Sequence, residues 1–244
     1  MPAIDPNLSE SRAPDGGPYY VETPTDLKAV PGIAEPFNAV TASLFVLIVV
    51  VWAFRLRGRY GQFPFLMGTL VLLLIGGVGG TLYHGLRSWV GYFLMDVIPI
   101  YVLGLVVAVY LWVRLGPRPI RLIGLIGGLA VLQAMGHGTL PRAWAINLSY
   151  AALAVLILVP LGLALVRTRF RDIGWVAMAL VSFGIAWFCR IADIQRPPLL
   201  PMGTHWLWHT FGAITTAALS EYLYRLEGVG LRLRPRSVAG PTLP

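Results

Sequence analysis

Only four histidines occur in the 244 residues, and two of them, His205 and His209, lie in the run Thr204-His205-Trp206-Leu207-Trp208-His209-Thr210. Four residues apart on a helix, both imidazoles lie on one face, a spacing that lets them reach a single metal ion. The run is not H-E-x-x-H, because Trp206 stands in the glutamate position, and a zincin protease is therefore disfavoured. His84 and Asp96 are further ionisable residues within or beside apolar runs. Each such group costs roughly 2.5–3.5 kcal/mol on insertion scales, so each calls for a function or a partner. Three neutral imidazoles with one open position form the ligand set of a catalytic zinc site, where the ion lowers the pKa of water to about 7. Asp96 would then take a proton from that water or orient a ligand. The alternative is a site without metal, with two interfacial histidines on the last helix and His84 at a helix end.

The elements that must carry these residues follow from composition. The chain is 57% hydrophobic and 12% charged with a mean hydropathy of +0.71, whereas a soluble domain carries about 25% charged residues. This is the composition of a polytopic membrane protein. The net charge of +8 does not indicate a nucleic-acid partner, since the arginines fall in short clusters between apolar runs. With Cys189 as its one cysteine, the chain has no intrachain disulfide. Uncharged runs cover 36–54, 60–86, 97–113, 122–141, 143–166, 173–189 and 197–220. At about 1.5 Å per residue each crosses or nearly crosses a ~30 Å hydrocarbon core. The expected fold is an all-α membrane protein with seven transmembrane helices. A polar tail over 1–34 precedes the membrane domain at 35–226, and a basic cytoplasmic tail covers 227–244.

Alternate connections hold thirteen of the nineteen basic residues, from Arg55, Arg57 and Arg59 through to Arg232, Arg234 and Arg236. The positive-inside rule then places the C-terminus in the cytoplasm and the N-terminus outside. Counting outward from Pro64, Arg114 and Arg225 puts His84 at about 30 Å, Asp96 at about 27 Å, and His205 and His209 at about 30 and 24 Å. Groups on three helices thus reach one depth near the external boundary. Gly76 and Gly80 make a smooth face leading to His84, and Gly124 and Gly128 form a small-residue pair suited to helix contact. Pro99 and Pro160 lie inside apolar runs, where they favour kinks. Tyr19 and Tyr20 read as interfacial aromatics.

Several short motifs resemble the alkaline ceramidase family, within the CREST superfamily of seven-helix membrane hydrolases. They are Glu35-Pro36-Phe37-Asn38, Tyr83-His84, Asp96 in Leu94-Met95-Asp96-Val97-Ile98-Pro99-Ile100-Tyr101, Arg190-Ile191-Ala192-Asp193, and His205-Trp206-Leu207-Trp208-His209. The resemblance covers roughly 22–225 and keeps the family's order. It implies zinc on His84, His205 and His209, water activated with help from Asp96, and hydrolysis of the amide of ceramide or a related N-acyl lipid. The membrane would be a bacterial-type cytoplasmic membrane with the site near its external face. Two positions depart from the pattern. Gly80 stands where a serine is usual, with Thr81 the adjacent candidate for oxyanion stabilisation. Eukaryotic members also bind calcium through an acidic segment before the first helix. Glu22 and Glu35 correspond to that set, while Tyr20 and Pro24 depart from it; the alternative for Glu35 is a cap on the first helix. A zinc-containing receptor of the progestin and adiponectin receptor type is the second functional reading, though those members usually have a cytoplasmic N-terminus. Retinal binding is excluded because the one lysine, Lys28, lies in the tail.

Of the remaining residues, His137 reads as a loop histidine near the outer boundary. Arg190 and Asp193 have the spacing of an interfacial ion pair. Asn147, Ser149 and Tyr150 give the fifth helix a polar outer turn. Glu221 lies about 18 Å along the last helix from His209 and belongs to its cytoplasmic end.

Overall fold

The computed structural model describes residues 12–27, 32–116, 119–140, 142–193 and 197–228. Among these residues the chain forms seven α-helices and no named strand: α1 (Pro36–Arg55), α2 (Pro64–Leu86), α3 (Val90–Leu115), α4 (Pro119–Thr139), α5 (Arg142–Arg167), α6 (Ile173–Ala192) and α7 (His205–Gly228). Every helix follows an apolar run read from the sequence. Five of them, α1, α2, α3, α4 from Ile120 and α6, are long and apolar enough to cross a membrane. Large side chains such as Val40, Phe54, Val113 and Val181 stand exposed along these helices, a surface suited to lipid. The chain is accordingly a multi-pass, bilayer-associated helical protein. Lys28 and residues 1–11 and 229–244 lie outside the described residues, and with them most of the basic tail read at 227–244.

Two compact units divide the chain. One holds residues 1–103 and 172–229; the other holds 104–171 and 230–244. In the first, α1 packs on α2 and on α7, and α6 packs on α7. Its apolar core joins Trp52 of α1 and Leu56 just after that helix to Phe63, Leu66, Leu70 and Leu73 in and before α2. On α6, Val176, Ala179, Ser182, Ala186 and Cys189 form the buried stripe; small side chains at this helical spacing let two backbones approach. The glycines of α2 serve the same purpose in two directions. A Cβ on Gly77 would lie 3.0 Å from the backbone nitrogen of Val46, and one on Gly79 would lie 2.5 Å from the carbonyl carbon of Met95. Helices α1 and α3 therefore both press directly on α2 below His84. Glu227 closes the other end by accepting from the free N–H groups of Phe65 and Leu66 at 3.0 and 3.1 Å. Glu221 pairs with Arg55 and Arg225 there, away from the histidines.

In the second unit the indole of Trp112 donates to the carbonyl of Leu156 at 3.2 Å, and Arg167 donates to that of Leu115 at 2.6 Å. His137 is helical instead of lying in a loop, in the last turn of α4, with Nε2 at 3.2 Å from Ser149 Oγ. The side chains of Asn147 and Tyr150 lie outside the description. Gly124 and Gly128 have nothing within 4 Å of an added Cβ, so they form no helix contact among the described residues. Pro99 and Pro160 lie within continuous helices.

Candidate metal centre

Two helix ends bring the histidines together. At the start of α7, Asp193 Oδ1 accepts from the backbone N–H groups of Thr204 and His205 at 2.6 and 3.0 Å. Those are the donors a helix N-terminus leaves unpaired, and a carboxylate there also meets the positive end of the helix dipole. Thr204 Oγ1 donates to the Cys189 carbonyl at 2.6 Å, fixing the same turn to α6. The last turn of α2 is tied to the residues before α1: the N–H groups of Ala34 and Glu35 donate to the carbonyls of Gly85 and His84 at 2.9 and 3.0 Å.

His84, His205 and His209 are buried at 0, 4 and 4% exposure, and one ligand nitrogen from each lies within 4.8 Å of the others. His84 Nε2 and His209 Nε2 face each other at 3.1 Å. Nitrogens sharing a tetrahedral zinc at about 2.0–2.1 Å are separated by roughly 3.3 Å, a spacing close to that of the His84–His209 pair. Donor chemistry also fits. His84 Nδ1 lies 2.5 Å from Glu35 Oε2; donation to this carboxylate leaves Nε2 as the lone-pair nitrogen directed at the cluster. His205 Nδ1 is buried with no hydrogen-bond partner among the described residues, an expensive arrangement unless something else satisfies it. The three imidazoles are thus arranged to hold a metal ion and are compatible with zinc.

Glu35 is fully buried, and burial by itself would raise its pKa. The hydrogen bond from His84, the Arg87 guanidinium and the Thr23 hydroxyl outweigh this and hold the carboxyl below the usual range. The helix-capping role anticipated for Glu35 belongs to Glu22, whose two oxygens accept from the N–H groups of Phe37 and Asn38 at 2.7 and 3.0 Å. Burial pushes the Glu22 carboxyl up, an effect those two donors offset only in part. Calcium does not fit this pair: both Glu22 oxygens are engaged by backbone, and the Glu35 oxygens face His84 Nδ1, Asn38 Nδ2, Thr23 Oγ1 and the Arg87 guanidinium. Replacing Glu35 by glutamine should weaken zinc binding by about 10–100-fold through loss of the orienting carboxylate. Competition against a chromogenic chelator measures it.

Asp96 lies on the part of α3 that crosses α2. A Cβ added to Gly80 would lie 2.6 Å from Asp96 Oδ1 and 3.4 Å from Ala42 Cβ. The glycine one turn before His84 therefore makes room for this carboxylate, and a serine in its place would force a shift. Thr81 does not take over as an oxyanion donor, because its hydroxyl already donates to the Gly77 carbonyl at 2.7 Å. Asp193, read as half of an ion pair with Arg190, caps α7 and also accepts from Val21 N–H at 3.2 Å. The Arg190 guanidinium stands over the rings of Trp208 and Trp187 at 5.4 and 5.8 Å.

Sequence reasoning missed the contribution of the segment before α1. Residues 12–27 do not form a loose tail. Ala13, Asp15 and Gly17 are buried, and Tyr20, taken for an interfacial aromatic, stacks on His205 with ring centroids 3.8 Å apart. Burial pushes its phenol far up, so it is neutral. No periodicity betrays such a segment; its Pro-Asp-Gly-Gly-Pro run at 14–18 signalled a turn but not what the turn would cover. Compared with known proteins, the chain matches no family model and no curated protein.

Proposed function

We propose that the chain is a zinc-dependent integral membrane amidase that hydrolyses the amide bond of ceramide or a related N-acyl lipid. The observation that carries this reading is the buried cluster of His84, His205 and His209, assembled from two helices of a lipid-associated bundle. Its orienting carboxylate, Glu35, acts from behind His84, and a second carboxylate, Asp96, lies against the same helix one turn below. The resemblance of the motifs to alkaline ceramidases supplies the substrate class. Seven spans with an external N-terminus fit the arginine distribution and place the cluster at the external headgroup level, where a lipid amide resides.

His84, His205 and His209 would hold the zinc ion, which when bound would supply Lewis acidity to acidify water and polarise a carbonyl. Asp96 takes a proton from the attacking water as its oxygen bonds to the amide carbon. When the C–N bond breaks, Asp96 returns the proton to the leaving nitrogen. A fatty acid and a sphingoid base are released, consuming one water. Glu35 and Asp193 hold His84 and the first turn of α7 in place throughout.

Incubating the purified protein with a panel of N-acyl lipids, followed by mass spectrometry, tests the reading. Stoichiometric release of acid and amine from a ceramide is expected. Zinc-loaded protein that cleaves no member of the panel would remove the amidase assignment and favour a receptor.

A further inference from the structure

Arg87 ends α2 inside a cage of oxygen atoms. Its Nε and Nη2 donate to Asp15 Oδ2 and Oδ1 at 2.6 and 3.2 Å, and Nη1 donates to Glu35 Oε1 at 2.5 Å and Thr23 Oγ1 at 3.4 Å. Nη2 also donates to the Pro18 carbonyl at 3.0 Å. Two carboxylates, a hydroxyl and a backbone carbonyl make a hard-oxygen set of the kind that takes a divalent cation. Here the middle is filled by a guanidinium only 3% exposed, with the Tyr83 ring 4.6 Å away. A calcium ion in the same cage would meet that positive charge at close range in a buried setting, where repulsion is weakly screened.

The backbone makes the same point. Arg87 has φ +46°, ψ +35°, the left-handed region where a helix usually ends on glycine. A glycine would relieve the backbone, so the side-chain bonds are what offset the strain.

From this cage two lines of contact reach the metal ligands. Glu35 bridges directly, with Oε1 on Arg87 and Oε2 at His84 Nδ1. The other line runs through the segment that Asp15 and Pro18 tether, which carries Tyr20 onto the face of His205. We propose that Arg87 is a built-in cation that replaces calcium in ordering this segment, and that it is a positioning residue for His84 and His205. The cluster then assembles without calcium.

This inference rests on the cluster holding zinc, so its test reads calcium and zinc separately, on full-length protein in detergent. Wild-type protein should contain no stoichiometric calcium, and calcium chloride should move its unfolding midpoint by less than about 1 °C. In Arg87→Gly, zinc retention against a competing chelator should fall by about tenfold or more. Millimolar calcium or guanidinium should restore it where sodium does not. Arg87→Lys, which keeps a cation, should lie between the two. One calcium per chain in the wild type, or a saturable rise of its midpoint with calcium, would overturn the proposal. So would an Arg87→Gly protein that holds zinc as the wild type does. Should that variant fail to accumulate, the wild-type calcium titration decides. A wild type without zinc would sink the metal reading instead, and the unfolding response to calcium would still test the cage.

Discussion

His209→Ala should reduce zinc from about one per chain to less than about one-tenth and abolish lipid amide hydrolysis, because two imidazoles cannot complete a catalytic zinc site. His209 is the ligand whose Nε2 faces His84 Nε2 at 3.1 Å, and no further histidine, cysteine or acidic group joins the described cluster to replace it. The ring is buried, so truncation also leaves a void, but the helix itself should persist: alanine is the best helix former, and its cap at Asp193 is untouched. Total metal analysis, with helical circular dichroism as the control for folding, measures the outcome. Loss of zinc should lower the unfolding midpoint as well, since a ligand that binds only the native state stabilises it by mass action. Undiminished zinc in a folded His209→Ala protein would remove the cluster from consideration as the metal site.

Asp96→Asn is expected to have the opposite profile, with hydrolysis falling by about 10²–10⁴-fold and zinc content unchanged. Asparagine keeps the volume and planar shape that fit against Gly80 but is no proton acceptor, so the change isolates proton transfer from packing. It is not among the three grouped ligands, which is why metal content should be indifferent. If the variant keeps wild-type turnover, Asp96 does not carry the proton; if zinc is lost with turnover, its role is in holding the metal.

Much of this arrangement was legible in the chain. The apolar runs located all seven helices, because burial in lipid demands long uncharged segments and leaves little ambiguity about where a helix lies. The spacing of His205 and His209 and the depth shared with His84 pointed to one cluster, since helix rise converts residue number into distance. The small face of α2 was also visible as Gly76 and Gly80, although only the packed helices show that it accommodates Pro99 and the Asp96 carboxylate.

What the tertiary structure alone decided lies off the helices. Glu22 rather than Glu35 caps α1; Glu35 turns to His84; Asp193 caps α7; and Arg87 is a buried, ion-paired charge. Each outcome depends on pairings between residues 11 to 72 positions apart, which have no period to read. A carboxylate near a helix start has several free N–H groups within reach, and only the packed chain chooses among them. The histidine cluster follows from helix geometry and is fixed by local rules, whereas the polar collar that orients it comes from an irregular segment whose place is set by the partners it finds.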